Sequence, residues 1–333
     1  MKKKNIILSA ILISIGSVSF AQNSVSLYGT VDAGINRVNN GTSTTIGLDS
    51  GIYSDSRLGI KGQENLGNGL KALFVLEAGV EVDTGQSTQA GTTFGRQAWL
   101  GLDSNSLGTI KLGLQHTPIR SVVNSIDPFS LGLAGDALKT LGSGGYQERV
   151  GSSISYTSPD FKGLSGQLSY GFGEVVGNHK DERAIGVGLT YNYGNSTFAT
   201  AYNKLNGNQF GAPAIKDIFL GATHDFGIVK AHAGFAERKL SGPFSIKSKN
   251  YLLGASKQFG PHMLMASYIR NDVRNIANAD SSTYAVGYGY SLSNRTNLYT
   301  SYGTYRNDMN SAVNVMNTGT NGSQFNMGVT HTF

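Results

Sequence analysis

The segment SQFNMGVTHTF, residues 323–333, alternates between two kinds of side chain with a period of two. Phe325, Met327 and Val329 fall on one face of an extended chain, and polar or small residues fall on the other. The segment LSGQLSYGF, residues 164–172, repeats this pattern. The alternation predicts β-strands with one apolar, aromatic face and one small, polar face.

The length of these strands distinguishes a membrane barrel from a soluble sandwich. In a sandwich the apolar faces would pack against a second sheet, and such strands are commonly about 5 to 6 residues long. A tilted strand needs about 9 to 11 residues to cross a bilayer, which is close to the length of the alternating segments. Tyr and Phe at the strand ends also suit the aromatic girdles of a membrane barrel. We therefore expect transmembrane strands.

Short polar turns recur along the chain and set the number of strands. Their starting positions are separated by 38, 55, 35, 33, 33 and 34 residues, so the usual interval is that of one hairpin. Seven turns join fourteen strands, and one further strand at each end makes sixteen. In lipid every sheet edge must be paired, so the sheet is predicted to close into an all-β, 16-stranded antiparallel transmembrane β-barrel with a water-filled lumen. The turns begin at Asn65, Asp103, Ser158, Tyr193, Phe226, Phe259 and Ser293.

The N-terminus is predicted to be a secretory signal peptide over residues 1–21. Three lysines precede a short apolar run, and the segment SFA, which ends at Ala21, has small residues at its first and last positions, as a cleavage site requires. Residues 22–333 then form a single barrel domain without any Cys, so neither disulfides nor thiolate sites are available. Removal of the three lysines lowers the formal charge from +6 to +3, which does not indicate nucleic acid as a partner.

The one long interval contains an irregular segment, Ile119–Val150, in the third connection at the loop side of the barrel. Irregular backbone is tolerated at membrane depth only where it is buried in protein or lines water. The apolar clusters SVV, FSLGLA and LKTL can pack on the inner wall. We therefore expect residues 119–150 to fold into the lumen and constrict it.

Five segments resemble the general porins of Gram-negative beta-proteobacteria: SVSLYGTVDAGI, SRLGIKGQENLGNGLKALFVLEAG, GRQAWLGL, LGTIKLGLQ and GVTHTF. The resemblance covers essentially the whole mature chain. It implies a homotrimer in the outer membrane, in contact with outer-membrane lipid, with short periplasmic turns and an inward-folded third outer loop. It also implies that Phe333 belongs to the signal read by the outer-membrane assembly machinery. The implied function is passive diffusion of small hydrophilic solutes and inorganic ions.

Basic residues are predicted on the lumen face. Arg57 and Lys61 alternate with Leu58 and Ile60, and Lys111 alternates with leucine and isoleucine in the same way. Lys or Arg at the lipid midplane would cost about 2 to 4 kcal/mol, so these cations are expected to face the lumen. Lys61 and Lys111 are candidates for the constriction, or they are solvated lumen residues far from it.

By resemblance, Arg57, Arg96 and Arg149 match a basic cluster at the constriction of anion-preferring porins. Strict alternation instead groups Arg96 with Leu100 and would turn it towards lipid. A bulge near Gly95, or a position above the bilayer, would remove this conflict.

The inward loop carries the acidic candidates Asp127, Asp136 and Glu148, which can oppose the arginines across the opening. Alternatively these acids hold the loop to the wall through charge-assisted hydrogen bonds. Asp127, next to Pro128, suits an Asx-turn, and Asp136 suits the N-cap of a helical turn ALKTL.

Other chemistry has little support in the sequence. The six His have no metal-ligand spacing, and nucleotide and nucleophile motifs are missing, so we expect no metal, no cofactor and no enzyme. A hydrolase at the barrel rim would have to use His116 and Asp127. A substrate-selective channel has only Tyr146 in its favour, and an adhesin only the polar loops. The sequence favours a general diffusion channel that prefers anions.

Overall fold

The computed structural model describes residues 24–141, 147–208, 211–242 and 245–333. The predicted signal peptide and Tyr146 lie outside these residues. No helix in the described ranges is long and apolar enough to cross a membrane. The described chain is dominated by strands: β1 Ser24–Asn39, β2 Thr44–Ser50, β3 Arg57–Gly67, β4 Leu70–Gly79, β5 Gln97–Ser104, β6 Gly108–His116, β7 Arg149–Thr157, β8 Leu164–Gly171, β9 Ala184–Tyr193, β10 Ser196–Leu205, β11 Ala214–Asp225, β12 Lys230–Ser241, β13 Ile246–Phe259, β14 His262–Val273, β15 Ser281–Ser291, β16 Thr296–Asn307 and β17 Gly322–Thr332.

These seventeen segments form one closed antiparallel barrel of sixteen strands, because β2 and β3 are two parts of a single strand. Strand β1 pairs with β3 over residues 24–30 and with β2 over residues 33–39. The intervening residues 51–56, here called the strand break, leave the ladder. On its other side β1 pairs with the last strand, from Thr30 opposite Thr332 onwards, and this pairing removes the free edges. The predicted closed barrel is confirmed.

All seven predicted turns join consecutive strands at one end of the barrel, here called the turn end. The remaining connections, most of them longer, lie at the opposite end, here called the loop end. The connection from β6 to β7, residues 117–148, is the third of these and the longest. The spacing of polar turns therefore located both ends of the barrel correctly.

The alternation of β17 is confirmed by its side-chain exposure. Met327 is 50 % exposed on the outside of the barrel, and Phe325 and Val329 accompany it. Asn326 and Thr330 point inwards and are buried. An apolar outer surface and a polar inner surface are the arrangement that a barrel in lipid requires.

The described part of the third loop folds into the lumen and forms two short helices and one 3-10 turn. Helix α1, Pro118–Ile126, was not predicted, although the sequence carries its start signal. Thr117 caps it by accepting a hydrogen bond from the N–H of Arg120 (3.4 Å), and proline occupies its first position. The 3-10 turn, Leu133–Gly135, and helix α2, Ala137–Thr140, follow.

Helix α1 packs its apolar face on the inner wall of the barrel. Val123 and Ile126 are fully buried against lumen-facing residues of the wall, among them Phe219 of β11 and Leu252 of β13. The lumen wall is therefore apolar where the loop covers it, and the loop and wall share one core.

Glycines on successive strands make room for this loop. A methyl group at Gly221 would lie 2.7 Å from Ile126, and one at Gly254 would lie 2.7 Å from Pro128. Contacts this close do not occur between real side chains, so the wall needs glycine where the loop backbone approaches it. Three further glycines meet the loop in the same way: Gly186, Gly287 and Gly303.

The tip of the loop is attached to the far wall. The N–H of Leu133 donates to the carbonyl of Ile52 in the strand break (2.7 Å). The N–H of Ala134 donates to the hydroxyl of Ser301 on β16 (3.1 Å). The loop thus crosses the lumen from β6 to the strand break and narrows the channel at that level.

Candidate functional site

The strand break is held by a buried carboxylate on β1. Asp32 accepts hydrogen bonds from the N–H groups of Ile52 (2.9 Å), Tyr53 (3.4 Å) and Ser54 (3.3 Å). The hydroxyl of Tyr299, on β16, donates to the same carboxylate (2.8 Å). These bonds replace the sheet ladder that the break lacks, and they fix the position of the residue that follows, Asp55.

Two of the predicted arginines meet at a shared carboxylate, Glu77 of β4. The Nε of Arg96 lies 2.8 Å from Glu77 Oε1, and the Nε of Arg57 lies 3.8 Å from Glu77 Oε2. Arg96 also contacts Asp55 of the strand break (2.6 Å), and Arg57 donates to the carbonyl of Asp55 (2.8 Å). Tyr28 completes the group by donating its hydroxyl hydrogen to Glu77 (2.8 Å).

The conflict over Arg96 is resolved by the start of the strand. Strand β5 begins at Gln97, so Arg96 lies just outside the regular alternation, and its N–H donates to the carbonyl of Glu77 (3.1 Å). Its side chain is only 3 % exposed and turns inwards, whereas Leu100 faces outwards. The strict alternation that would have turned Arg96 towards lipid therefore does not extend to this residue.

The third predicted arginine, Arg149, begins β7 at the root of the inward loop. Its guanidinium lies 3.5 Å from Glu148 and 3.8 Å from Asp55. A fourth arginine, Arg120 on α1, lies 3.2 Å from the same Glu148 carboxylate. The loop and the strand break therefore meet at one ion-paired group, here called the arginine cluster, whose members are Asp55, Arg57, Glu77, Arg96, Arg120, Glu148 and Arg149.

The arginine cluster contains four guanidinium groups and three carboxylates, which gives a net charge of +1. Arg57, Arg120 and Arg149 keep 19 to 26 % of their side chains exposed, and Asp55 and Glu148 are also partly exposed. Charges of both signs are therefore exposed to the lumen, and the arginine cluster carries one positive charge in excess.

Two of the predicted acidic residues do not face the arginines. Asp127 is buried and accepts N–H hydrogen bonds from Phe129 (3.1 Å), Leu131 (2.9 Å) and Ala137 (3.1 Å), all within the loop. Asp136 is also buried, and it caps α2 by accepting from the N–H of Leu138 (2.8 Å). Their carboxylates organise the loop, in agreement with the Asx-turn and N-cap alternatives that the sequence left open.

Burial raises the pKa of Asp127 to about 7, and the charge of Asp136 adds to this effect. Burial likewise raises the pKa of Asp136. Of the three predicted acids only Glu148 lies in the arginine cluster.

Lys61 and Lys111 line the lumen nearer the turn end. Lys61 is four residues from Arg57 along β3, about 13 Å by the rise of a strand. Its Nζ lies 5.1 Å from the ring centroid of Tyr28, and the Nζ of Lys111 lies 4.4 Å from that of Trp99. Both lysines contact aromatic faces and stand apart from the ion pairs of the arginine cluster.

The sequence did not identify Asp55 or Arg120 as site residues. The Thr-Pro start signal of α1 could have placed Arg120 on a helix inside the lumen. Nothing in the local sequence marks the strand break, because it depends on Asp32 and Tyr299, which are far from it in the chain. Alternation places Glu77 on the lumen face, but its pairing with two arginines depends on the tertiary structure.

The C-terminal residue closes the barrel. The N–H of Phe333 donates to the carbonyl of Gly29 (3.1 Å), and the N–H of Gly29 donates to the carbonyl of Phe333 (3.1 Å). The phenyl ring lies where a side chain on Gly29 would otherwise be.

A closed barrel with an apolar exterior and a charged, loop-narrowed lumen defines a channel protein of an outer membrane. The family model described as Gram-negative porin matches residues 8–310, and the chain belongs to that family. The family forms channels and not enzymes, so the rim hydrolase is excluded and the protein is a porin of the outer membrane.

Relatives and solved structures extend this assignment. The chain is 32 % identical to outer membrane porin protein 32 of Delftia acidovorans, over 89 % of this chain and 88 % of the relative. It is 29 % identical to an outer membrane porin protein of Bordetella pertussis, over 91 % of this chain and 94 % of the relative. The structure of an anion-selective porin from Comamonas acidovorans superposes with a TM-score of 0.82 at 28 % identity, covering 94 % of this chain and 100 % of that one.

Proposed function

We propose that the protein is a general diffusion porin that passes small hydrophilic solutes and inorganic ions, with a preference for anions set by the arginine cluster. The observation that carries this proposal is the excess of one positive charge within the arginine cluster, which lies where the loop narrows the lumen. Lys61 and Lys111 add positive charge along the path towards the turn end. The similar structure described as an anion-selective porin supports the same sign.

The arginines also offer a physical path for anions. A guanidinium group presents several N–H donors in a plane and is less strongly hydrated than an ammonium group, so an anion can exchange part of its water shell for it. Because Arg57, Arg120 and Arg149 are already hydrogen-bonded or ion-paired, their positions are fixed before an anion arrives.

Single-channel recording in planar bilayers tests the proposal. We expect conductance steps that need no ligand and a reversal potential of anion sign in a salt gradient. A reversal potential of cation sign would contradict the role of the arginine cluster. The absence of conductance steps would contradict the channel itself. Block by one sugar class at low concentration would instead support a substrate-selective channel.

A homotrimer is proposed for the assembled protein. Strands β1 and β2 present strongly exposed apolar side chains on the outer surface, including Val25 and Ile46, each 70 % exposed. A second copy of the chain can cover such a surface as well as lipid can, and we propose that this part of the wall faces the neighbouring subunit. Electrophoresis of unheated samples, with chemical cross-linking, should give three times the subunit mass; a single-subunit mass would contradict the trimer.

Export and assembly are proposed to use the two chain ends. Residues 1–21 would direct secretion, and Phe333 would be read by the assembly machinery. Because Phe333 also closes the barrel, its removal should be compared in cells and in refolding from denaturant. A loss of assembly in cells with normal refolding in detergent supports recognition of Phe333, and equal loss in both contradicts it.

A further inference from the structure

A row of cations crosses the outer surface of the barrel near the loop end. Lys204 of β10 is directly opposite Lys216 of β11, which is opposite Lys239 of β12, which in turn is opposite Lys247 of β13. The N–H of Arg274, just after β14, donates to the carbonyl of Lys247 (2.8 Å) and continues the row. These five residues are called the lysine row.

The side chains of the lysine row point away from the lumen. Lys216 and Lys239 are exposed, whereas their neighbours in sequence, Asp217 and Arg238, are buried on the lumen side and paired with each other (2.7 Å). Ser248, next to Lys247, is likewise buried. Successive residues of a strand point to opposite faces, so the row lies on the surface that meets the membrane and its surroundings.

The four lysines of the lysine row have no carboxylate partner among the residues that the structure describes. Within the ranges that the structure describes, no carboxylate lies within 4.0 Å of the amino groups of the four lysines, and only Arg274 is paired, with Asp272 (2.8 Å). The next row along the strands differs, because there Lys249 pairs with Glu237 (3.3 Å). Like charges directly opposite each other destabilise a sheet. An anion bound from outside would therefore reduce the repulsion among these four lysines.

The lysine row lies immediately beyond the apolar belt. Ile218, two residues from Lys216 along β11, and Leu220 face outwards, and the rings of Phe235 and Tyr251 contact each other on the neighbouring strands with a centroid distance of 5.5 Å. Two residues of strand correspond to about 7 Å, so the amino groups stand at the level of lipid head groups. A groove of about 330 Å³ lies at this position. Its lining includes one carboxylate, Glu237, which is paired with Lys249, and the cations Lys216, Lys239, Lys247 and Arg274.

We propose that the lysine row binds the phosphate groups of phosphorylated lipid in the outer leaflet of the outer membrane. The Cβ atoms of directly opposite lysines on neighbouring strands are about 5 Å apart. The ammonium groups of several lysines can therefore contact one phosphorylated head group. The acyl chains of that lipid would then run along Ile218 and Leu220 towards the bilayer centre. The short turns of such barrels face the periplasm, which places the loop end and the lysine row in the outer leaflet.

This proposal concerns the outer wall and does not depend on the selectivity of the lumen. Each basic residue at a membrane surface attracts anionic lipid electrostatically, and these attractions add. Two lysines together should therefore change the affinity for the lipid by about 30-fold. Binding should weaken as salt is raised, because the lysines are exposed.

Binding of purified lipid A that carries two phosphates, and of its dephosphorylated form, tests the proposal with the full-length protein in neutral detergent. We expect the wild-type protein to prefer the phosphorylated form, and the double variant Lys216→Gln, Lys239→Gln to bind it about 30-fold more weakly. The matched control is Lys162→Gln, Lys257→Gln, which removes the same charge near the turn end and should bind like the wild type. Equal binding of both lipids, or equal weakening in the control, would overturn the proposal.

A charge reversal separates lipid binding from a change in folding. Lys239→Glu places a carboxylate between Lys216 and Lys247, so we expect the thermal midpoint in neutral detergent to be unchanged or higher. The gain in thermal midpoint on adding phosphorylated lipid should be lost in this variant, because binding to the folded state alone produces that gain. If the variant keeps the full gain, or if an acidic polysaccharide without lipid produces the same gain in the wild type, the lipid proposal is wrong. Unchanged conductance steps show that each variant is folded.

Discussion

Replacing Arg149 with glutamine tests the electrostatic basis of ion preference. The guanidinium of Arg149 lies 3.8 Å from Asp55 and 3.5 Å from Glu148, so neither carboxylate depends on it alone. In the variant, Asp55 keeps Arg96 at 2.6 Å, and Glu148 keeps Arg120 at 3.2 Å. The substitution therefore removes one charge without leaving a carboxylate unpaired, and the arginine cluster changes from a net charge of +1 to zero.

The expected size of the effect follows from Coulomb's law. A monovalent ion that passes about 6 Å from one unit charge in a water-filled lumen changes its energy by about 0.7 kcal/mol. This energy lowers the local anion concentration about threefold and raises that of cations about threefold. The ratio of anion to cation permeability should therefore fall by about tenfold at low salt.

The measurement is the reversal potential of single channels in a tenfold gradient of potassium chloride. The shift should shrink as the ionic strength approaches about 1 M, where the screening length is only about 3 Å. The opposite change, Glu148→Gln, raises the net charge of the arginine cluster to +2 and should increase anion preference. An unchanged reversal potential at low salt for Arg149→Gln would refute the assignment.

A charge-matched control lies on the outer wall. Arg306 of β16 stacks on the ring of Tyr284, 5.4 Å from its centroid, and both residues are exposed on the outside of the barrel. Arg306→Gln removes the same charge as Arg149→Gln but lies across the wall from the lumen. A shift as large as that of Arg149→Gln would show that total charge, and not the arginine cluster, sets the preference.

Three further predictions concern the inward loop. Phe129→Ala should lower the free energy of unfolding by about 3 to 5 kcal/mol, because this ring is only 2 % exposed. Noisier single-channel currents and a lower unfolding midpoint would show that the loop is less firmly packed. Gly221→Val should displace α1 from the wall, since even a methyl group there would lie 2.7 Å from Ile126, and an unaltered conductance would contradict this packing. The pKa of Asp127 is raised from 3.8 to about 7, so its contribution to stability is complete below about pH 4 and is lost as the pH rises through 7; Asp127→Asn should remove this part of the pH dependence, measured by denaturant unfolding.

The barrel can be predicted from the amino-acid sequence alone. A strand that alternates with period two has one apolar face, which must be in contact with lipid or a core. The even spacing of the turns gives sixteen strands, and the need to pair every sheet edge in lipid closes them into a barrel. The excess length of one interval identified the third connection as the inward loop. Local patterns also indicated the roles of Asp127 and Asp136 as an Asx-turn and an N-cap, because those interactions join residues that are close in sequence.

The identity of the charged residues that meet in the lumen depends on the folded barrel and not on local sequence. Arg96 is paired with Asp55, 41 residues away, and with Glu77, 19 residues away, so the arginine cluster exists only after the barrel has closed and the loop has folded in. The strand break that positions Asp55 depends on Tyr299, which is 267 residues from Asp32. Alternation predicts the face of the sheet on which a side chain lies. It does not predict the level of that side chain along the barrel axis or its partner across the lumen. For that reason the sequence indicated three arginines of the arginine cluster, whereas the fold alone supplied Arg120 and two of the three acids that balance them.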